Sequence, residues 1–368
     1  MTIFLARPEH APSGIPLAVK DLFDTAGLVT TYGSIIFDGH VPARTAEAVR
    51  RLEAAGYANV GKAGLHEFAY GITSQNPWYG TVPNPVAPGR TAGGSSGGCA
   101  AALAAGLVEA AIGTDSGGSI RIPAACCGTV GFKPSHGLVP LDGCFPLAPS
   151  FDHAGPMALS VADCRRMLEA LAPGFVPASV QDLEEVSVGV AWTDLADPLV
   201  RERVEEVAAR FPRRRRVELP LAEHLSHAFM GEVADVHRDL FAAERDRYGP
   251  NVRYKVEKAL ALSDEKLARS VEERERYREL MAELCAGVDL LVTPAVGFVA
   301  PPADSDELAL RAAMIRFTFP FNALGWPALA LPCGPAELDL PASVQLVSPA
   351  GDDALVLAVG ERLESGRS

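Results

Sequence analysis

From Arg44 to Arg121 the chain runs helix, strand, loop, helix, and few architectures accommodate that rhythm. T-A-E-A-V-R-R-L brings Ala46, Val49 and Leu52 to one helical face, and Gly56 ends the helix. Tyr57–Gly61 reads as a strand. Ser74–Gly98 has no periodicity and carries Pro77, Pro83, Pro85 and Pro88, so it reads as a long loop, and such loops in compact domains are usually functional. Cys99–Ala105 is small and helix-favouring, Leu107–Ile112 is strand-like, and Gly113–Gly118 is a glycine loop before a helical turn at Arg121. The alternation predicts the α/β class: one large domain with a mixed, mostly parallel twisted sheet covered by helices on both faces. Such sheets place their sites in loops at strand ends.

Further on, Val186–Trp192, Asp289–Thr293 and Ser343–Val347 read as strands, and Pro198–Phe211 and Leu355–Leu363 as helices. Ser226–Leu284 reads as a charged helical cover, with Leu280, Met281 and Leu284 on an apolar face. A net charge of −13 opposes nucleic acid and anionic membrane as partners. The exception is Arg213, Arg214, Arg215 and Arg216, read as a solvated loop or strand edge, or else as an anion contact. Seven cysteines without ligand spacing read as reduced, buried thiols; no metal is implied. Met1–His10 lacks a signal-peptide pattern and no apolar run is long enough to cross a bilayer, so the expected location is the cytoplasm.

Three segments carry chemistry: A-V-K-D at Ala18–Asp21, G-G-S-S-G-G at Gly93–Gly98 and T-D-S-G-G-S-I-R at Thr114–Arg121. Each has a plainer reading, as a snorkelling strand end, a flexible linker or phosphate cradle, and a simple turn. A linker has no need to run into the compact helix C-A-A-A-L-A-A, and a Walker-type loop needs Lys and Ser or Thr where this one has Cys99 and Ala100. Together the segments offer what amide hydrolysis requires: an activated nucleophile, oxyanion donors and a proton source for the leaving amine. Ser119 follows two glycines, so the amides of Ser116, Gly117, Gly118 and Ser119 can face a developing charge. No histidine lies in the three segments, and His136 and His153 are read as structural. Lys20 is then the available base, on condition that burial keeps its amine neutral, and Ser95 can relay the proton from Ser119 to it.

In their order, G-I-P-L-A-V-K-D, G-R-T-A-G-G-S-S-G-G and G-T-D-S-G-G-S-I-R-I-P-A resemble the amidase signature family. The likeness continues through G-K-A-G-L-H-E-F-A (61–69), G-F-K-P-S-H-G (131–137), F-D-H-A-G-P-M (151–157), F-N-A-L-G-W-P-A (321–328) and S-V-Q-L-V. The resemblance implies Lys20 as base, Ser95 as a relay serine after a cis peptide bond, Ser119 as nucleophile, and the four amides ending at Ser119 as oxyanion hole. Ser96 and Asp115 are implied as supporting hydrogen-bond partners and Arg121 as the anchor of the loop. In these terms the domain spans 1–368, with a catalytic core over about 12–160, a helical cover over about 195–285 and C-terminal strands and helix over about 286–366. Lys20 stands closer to the start than is usual in relatives, so one wall of the pocket or an oligomer contact is expected to be missing.

The expected activity is hydrolysis of a small carboxamide, urea derivative or carbamate, with no cofactor; a homo-oligomer stays open. The alternatives are the glutaminase (A) component of a glutamyl-tRNA(Gln) amidotransferase and, from another class, a phosphate-binding small-molecule kinase. Substrate-binding residues are not legible; Trp78, Tyr79, Phe145 and Phe321 are candidates for core packing or for an apolar pocket.

Overall fold

A computed structural model describes residues 2–10 and 12–366. Eleven strands, β1 (Phe4–Ala6), β2 (Ile15–Lys20), β3 (Tyr57–Ala63), β4 (Ala110–Asp115), β5 (Val130–Lys133), β6 (His153–Ala158), β7 (Val188–Val190), β8 (Arg214–Arg216), β9 (Leu290–Pro294), β10 (Ala328–Pro335) and β11 (Pro341–Val347), form one sheet. Their order is β1-β3-β2-β4-β6-β5-β10-β11-β9-β7-β8.

The α/β class and the single mixed sheet are as expected, but the strand directions need a correction. Four pairings are parallel, β2 with β3 and β4, and β7 with β8 and β9. The other six are antiparallel, so the sheet is not mostly parallel. Parallel neighbours need a crossover long enough to hold a helix, whereas a short turn can only fold back. The crossovers of β2, β3 and β4 carry helices, but β10 and β11 are joined by a turn at 336–340.

The helices are α1 (Glu47–Ala54), α2 (Gly97–Ala104), α3 (Arg121–Cys127), α4 (Val161–Leu171), α5 (Pro198–Ala209), α6 (Ser226–Glu244), α7 (Pro250–Leu260), α8 (Asp264–Leu284), α9 (Glu307–Ile315), α10 (Phe319–Leu324) and α11 (Asp353–Ser365). On one face α1, α4, α5 and α11 bury Val49, Leu52, Met167, Val204 and Val356 in a single aliphatic core. Helix α1 begins at Glu47 rather than Arg44, and the expected stripe of Ala46, Val49 and Leu52 is buried. On the other face α2 and α3 pack as small-residue helices, and an aromatic core of Phe151, Phe229, Phe319 and Phe321 lies under the cover.

Glycine at position 98 lets α2 approach closely, since a Cβ there would stand 2.4 Å from the Gly64 carbonyl oxygen. The glycine cluster is therefore packed backbone and not a spacer. In the cover, Met281 is fully buried, Leu284 half-buried and Leu280 exposed: at about 100° per residue 284 lies between the other two, at the margin of the buried face. The basic run forms the exposed edge strand β8, where Arg216 pairs with Glu205 at 2.7 Å and Arg213, Arg214 and Arg215 donate to main-chain carbonyls. None of the seven cysteines is in a disulfide, and five of them are buried.

Candidate active site

Strands β2 and β4 are parallel neighbours, so the segments leaving their carboxyl ends meet. Lys20 is the last residue of β2, and Asp115, the last of β4, opens the loop that holds Ser119 before α3. The second glycine loop brings Ser95 and Ser96 to the start of α2. Its Gly94–Ser95 peptide is cis, and a Cβ on Gly94 would lie 2.8 Å from the Ser74 amide nitrogen.

Lys20 is fully buried, and its Nζ donates to Ser95 Oγ at 2.7 Å and to Thr114 Oγ1 at 2.7 Å. Burial lowers its pKa to about 8. The nearby carboxylates Asp115 and Asp152 oppose the shift without outweighing burial; Asp115 faces Arg121 at 2.9 Å, and Asp152 is held by the Leu147 and Ala148 amides at 2.9 and 3.1 Å. Ser119 shares the wall of a small cavity with Tyr70, Gly71, Leu147, Phe229, Arg311 and Phe319. The cavity holds about 20 Å³, the room of roughly one water molecule. The Ser119 hydroxyl makes no side-chain hydrogen bond, to Ser95 or any other described residue; the two loops are joined instead by the Ser96 amide donating to the Ser119 carbonyl at 3.2 Å. Ser96 Oγ donates to the Thr114 carbonyl at 3.1 Å, tying the same loop to β4.

Asp115 and Arg121 form the buried frame of the Ser119 loop. Burial by itself would raise the Asp115 pKa, but the Arg121 guanidinium outweighs it and holds the carboxyl well below its usual range. Arg121 donates from Nε and Nη2 to the two oxygens of Asp115, each at 2.9 Å, and from Nη1 to Gln345 Oε1 at 2.7 Å. Asn322 closes the frame by donating to Asp115 at 2.9 Å. The expected cradle of four amides needs one correction, since the Gly118 amide donates to Asp115 Oδ1 at 2.7 Å and is not available to a substrate. The amides of Ser116, Gly117 and Ser119 make no such bond among the described residues.

Two substitutions test this frame. Arg121→Met leaves a fully buried carboxylate without its cation and is expected to cost about 3–5 kcal/mol, read as a lower urea midpoint; an unchanged midpoint would refute the role. In Gly118→Ala the new Cβ would meet Thr318 Oγ1 at 2.3 Å, at a φ of +131° that suits glycine. It is expected to destabilise by about 1–3 kcal/mol, and a thermal midpoint equal to the parent's would count against the strain.

Several site residues lay inside the quoted motifs without a role assigned to them. Thr114 bonds Lys20 from the end of β4, Asp152 bonds the Ser116 hydroxyl from a separate loop, and Asn322 and Gln345 come from far along the chain. Conversely, none of Trp78, Tyr79, Phe145 and Phe321 lines the Ser119 cavity. Trp78 donates to Glu67, Phe321 packs on Trp192, and Phe145 lines a neighbouring cavity of about 110 Å³ that also touches Ser116. His153 is buried against the carbonyls of Phe151 and Asp115, and His136 meets it edge to face; neither lines the cavity. Among the described residues no cluster could hold a metal ion, and no helix is long and apolar enough to cross a membrane.

This sheet, with two glycine–serine loops meeting a buried lysine, defines a class of hydrolase, and comparison with known proteins gives the same answer. The Amidase family model matches residues 6–357. The chain is 35% identical to AtzE of Pseudomonas sp. (strain ADP), a component of 1-carboxybiuret hydrolase, over 98% of this chain and 86% of that one. It is 33% identical to the A component of the glutamyl-tRNA(Gln) amidotransferase of Chloroflexus aurantiacus (strain ATCC 29366 / DSM 635 / J-10-fl), over 95% of this chain and 82% of that one. A crystal structure of an amidase superposes with a TM-score of 0.87 at 39% identity, covering 96% of this chain and 84% of that one. The chain belongs to the amidase signature family and is an amidase, a hydrolase of amide C–N bonds.

Proposed function

We propose that this amidase works through an acyl-enzyme on Ser119, with neutral Lys20 as base and Ser95 as relay, within a single catalytic domain, on a small-molecule amide, urea derivative or carbamate. The observation that carries the reading is the 2.7 Å contact between Ser95 and a buried Lys20 whose pKa lies near 8. An amine in that state is neutral in about one molecule in ten at pH 7 and in most above pH 8, whereas an ordinary lysine with a pKa of about 10.4 is almost wholly protonated there. Ser95 passes its proton to Lys20 and takes one from Ser119, whose oxygen attacks the substrate carbonyl. The Ser119 hydroxyl, free of other partners, turns toward Ser95 as the substrate docks; such bonds commonly tighten only in the complex. The amides of Ser116, Gly117 and Ser119 receive the oxyanion. Lys20 returns the proton through Ser95 to the leaving nitrogen, and water then cleaves the Ser119 ester.

The test is a panel of simple amides with ammonia detection on the purified chain beside a Ser119→Ala control; turnover that survives in the control sinks the mechanism. The likeness to the amidotransferase component favours a second reading, release of ammonia from glutamine for a partner. Activity of the chain alone on simple amides supports the first reading, and strict dependence on glutamine and an added partner supports the second.

A further inference from the structure

We propose that the substrate carries a carboxylate and that Arg311 is the residue that selects for it, an inference that rests on the acyl-enzyme reading above. The small cavity over Ser119 adjoins a larger one of about 340 Å³, and Tyr70, Phe229, Arg311, Ile315 and Phe319 wall both. Arg311, on α9, is half-buried, and its guanidinium makes no hydrogen bond or ion pair with any described residue. It lies over the Tyr70 ring, 5.1 Å from the centroid.

Two of the other three cations of the larger cavity face carboxylates, and the third, like Arg311, has only a ring. Lys255 pairs with Glu307 at 3.1 Å, Arg316 faces Glu223 at 3.8 Å, and Lys258 sits over the Tyr254 ring at 4.6 Å. Four cations and one carboxylate, Glu223, therefore line this cavity, with Glu307 pairing Lys255 from outside the lining, in a chain whose net charge is −13. Of the four, Arg311 alone also reaches the cavity of Ser119. A half-buried guanidinium without an ion-pair partner stands beside Phe229, Ile315 and Phe319, and a carboxylate matches its planar fork with two parallel hydrogen bonds. An amide seated at Ser119 with its tail in the larger cavity would pass Arg311 on the way.

The test compares kcat/KM for succinamate with that for its uncharged isostere 4-methylpentanamide, in the parent and in Arg311→Gln. The parent is expected to prefer the anion, and the preference is expected to fall about 10- to 100-fold in the variant, with Arg311→Lys between the two. A parent preference for the uncharged amide, or a ratio unchanged in Arg311→Gln, overturns the proposal, as does a ratio that collapses in Lys258→Gln but not in Arg311→Gln. A second arm is independent of turnover: calorimetry of succinate on Ser119→Ala, with and without Arg311→Gln. Affinity at least tenfold weaker in the double variant supports the role, and equal affinity overturns it. If no amide is hydrolysed and Ser119 takes no label, the acyl-enzyme reading fails by itself, and the succinate arm still decides on Arg311.

Discussion

Ser119→Ala is expected to lower kcat/KM for amide hydrolysis by about 10⁴-fold or more, while the protein keeps its fold. The side chain is nearly buried and makes no side-chain hydrogen bond, so alanine removes one oxygen and no structural contact. The main-chain bond from Ser96 to the Ser119 carbonyl stays, and with it the meeting of the two loops. Stability is expected to change by less than about 0.5 kcal/mol, as at positions outside the main destabilising mechanisms. Two measurements check this together: ammonia release, and covalent labelling by a fluorophosphonate, which needs an activated serine oxygen. A variant that still labels fully would mean that another serine is the nucleophile.

Legibility in the sequence followed how local each interaction is. Lys20, Ser95 and Ser119 lie in short segments that each have a plainer use alone but have one chemistry in common when taken together, so the meeting of Lys20 with Ser95 was expected from the sequence. The resemblance implied Asp115 as a hydrogen-bond partner and Arg121 as the loop's anchor, but not that the two pair with each other. The role of Thr114 was not legible, because a threonine in a buried strand is ordinary β-sheet usage and only the parallel pairing of β2 with β4 turns it toward Lys20. The frame from Asn322 and Gln345 depends on contacts across some two hundred residues, which periodicity does not encode. The engagement of the Gly118 amide by Asp115 was equally hidden, since a glycine pair shows that the backbone can turn but not which amides stay free. Strand direction failed in the central stretch because helices and short returns both interrupt strands, and only the length and route of the connection distinguish them.

The pH dependence of turnover tests the remaining half of the mechanism. A lysine that acts as base must be neutral, and burial brings the Lys20 pKa down to about 8. Below that value the amine is protonated and the relay stops; above it the amine is free. kcat/KM is therefore expected to rise roughly tenfold per pH unit up to about pH 8 and then level off. Lys20→Ala is expected to lose about 10²- to 10⁴-fold, the usual contribution of a positioned base, and to lose this limb of the profile as well. Lys20→Arg keeps a cation in place but cannot give up its proton, so it is expected to fail with no recovery at high pH. That contrast separates a base from a structural charge: a purely structural Lys20 would be partly replaced by arginine and would leave the profile of the residual activity as it was. If an active Lys20→Ala protein still showed a rise levelling off near pH 8, the titrating group would have to lie elsewhere. Asp115 would not serve, since the Arg121 guanidinium holds its carboxyl well below the usual range, whereas Lys255, which burial also brings down to about 8, would be the next group to test.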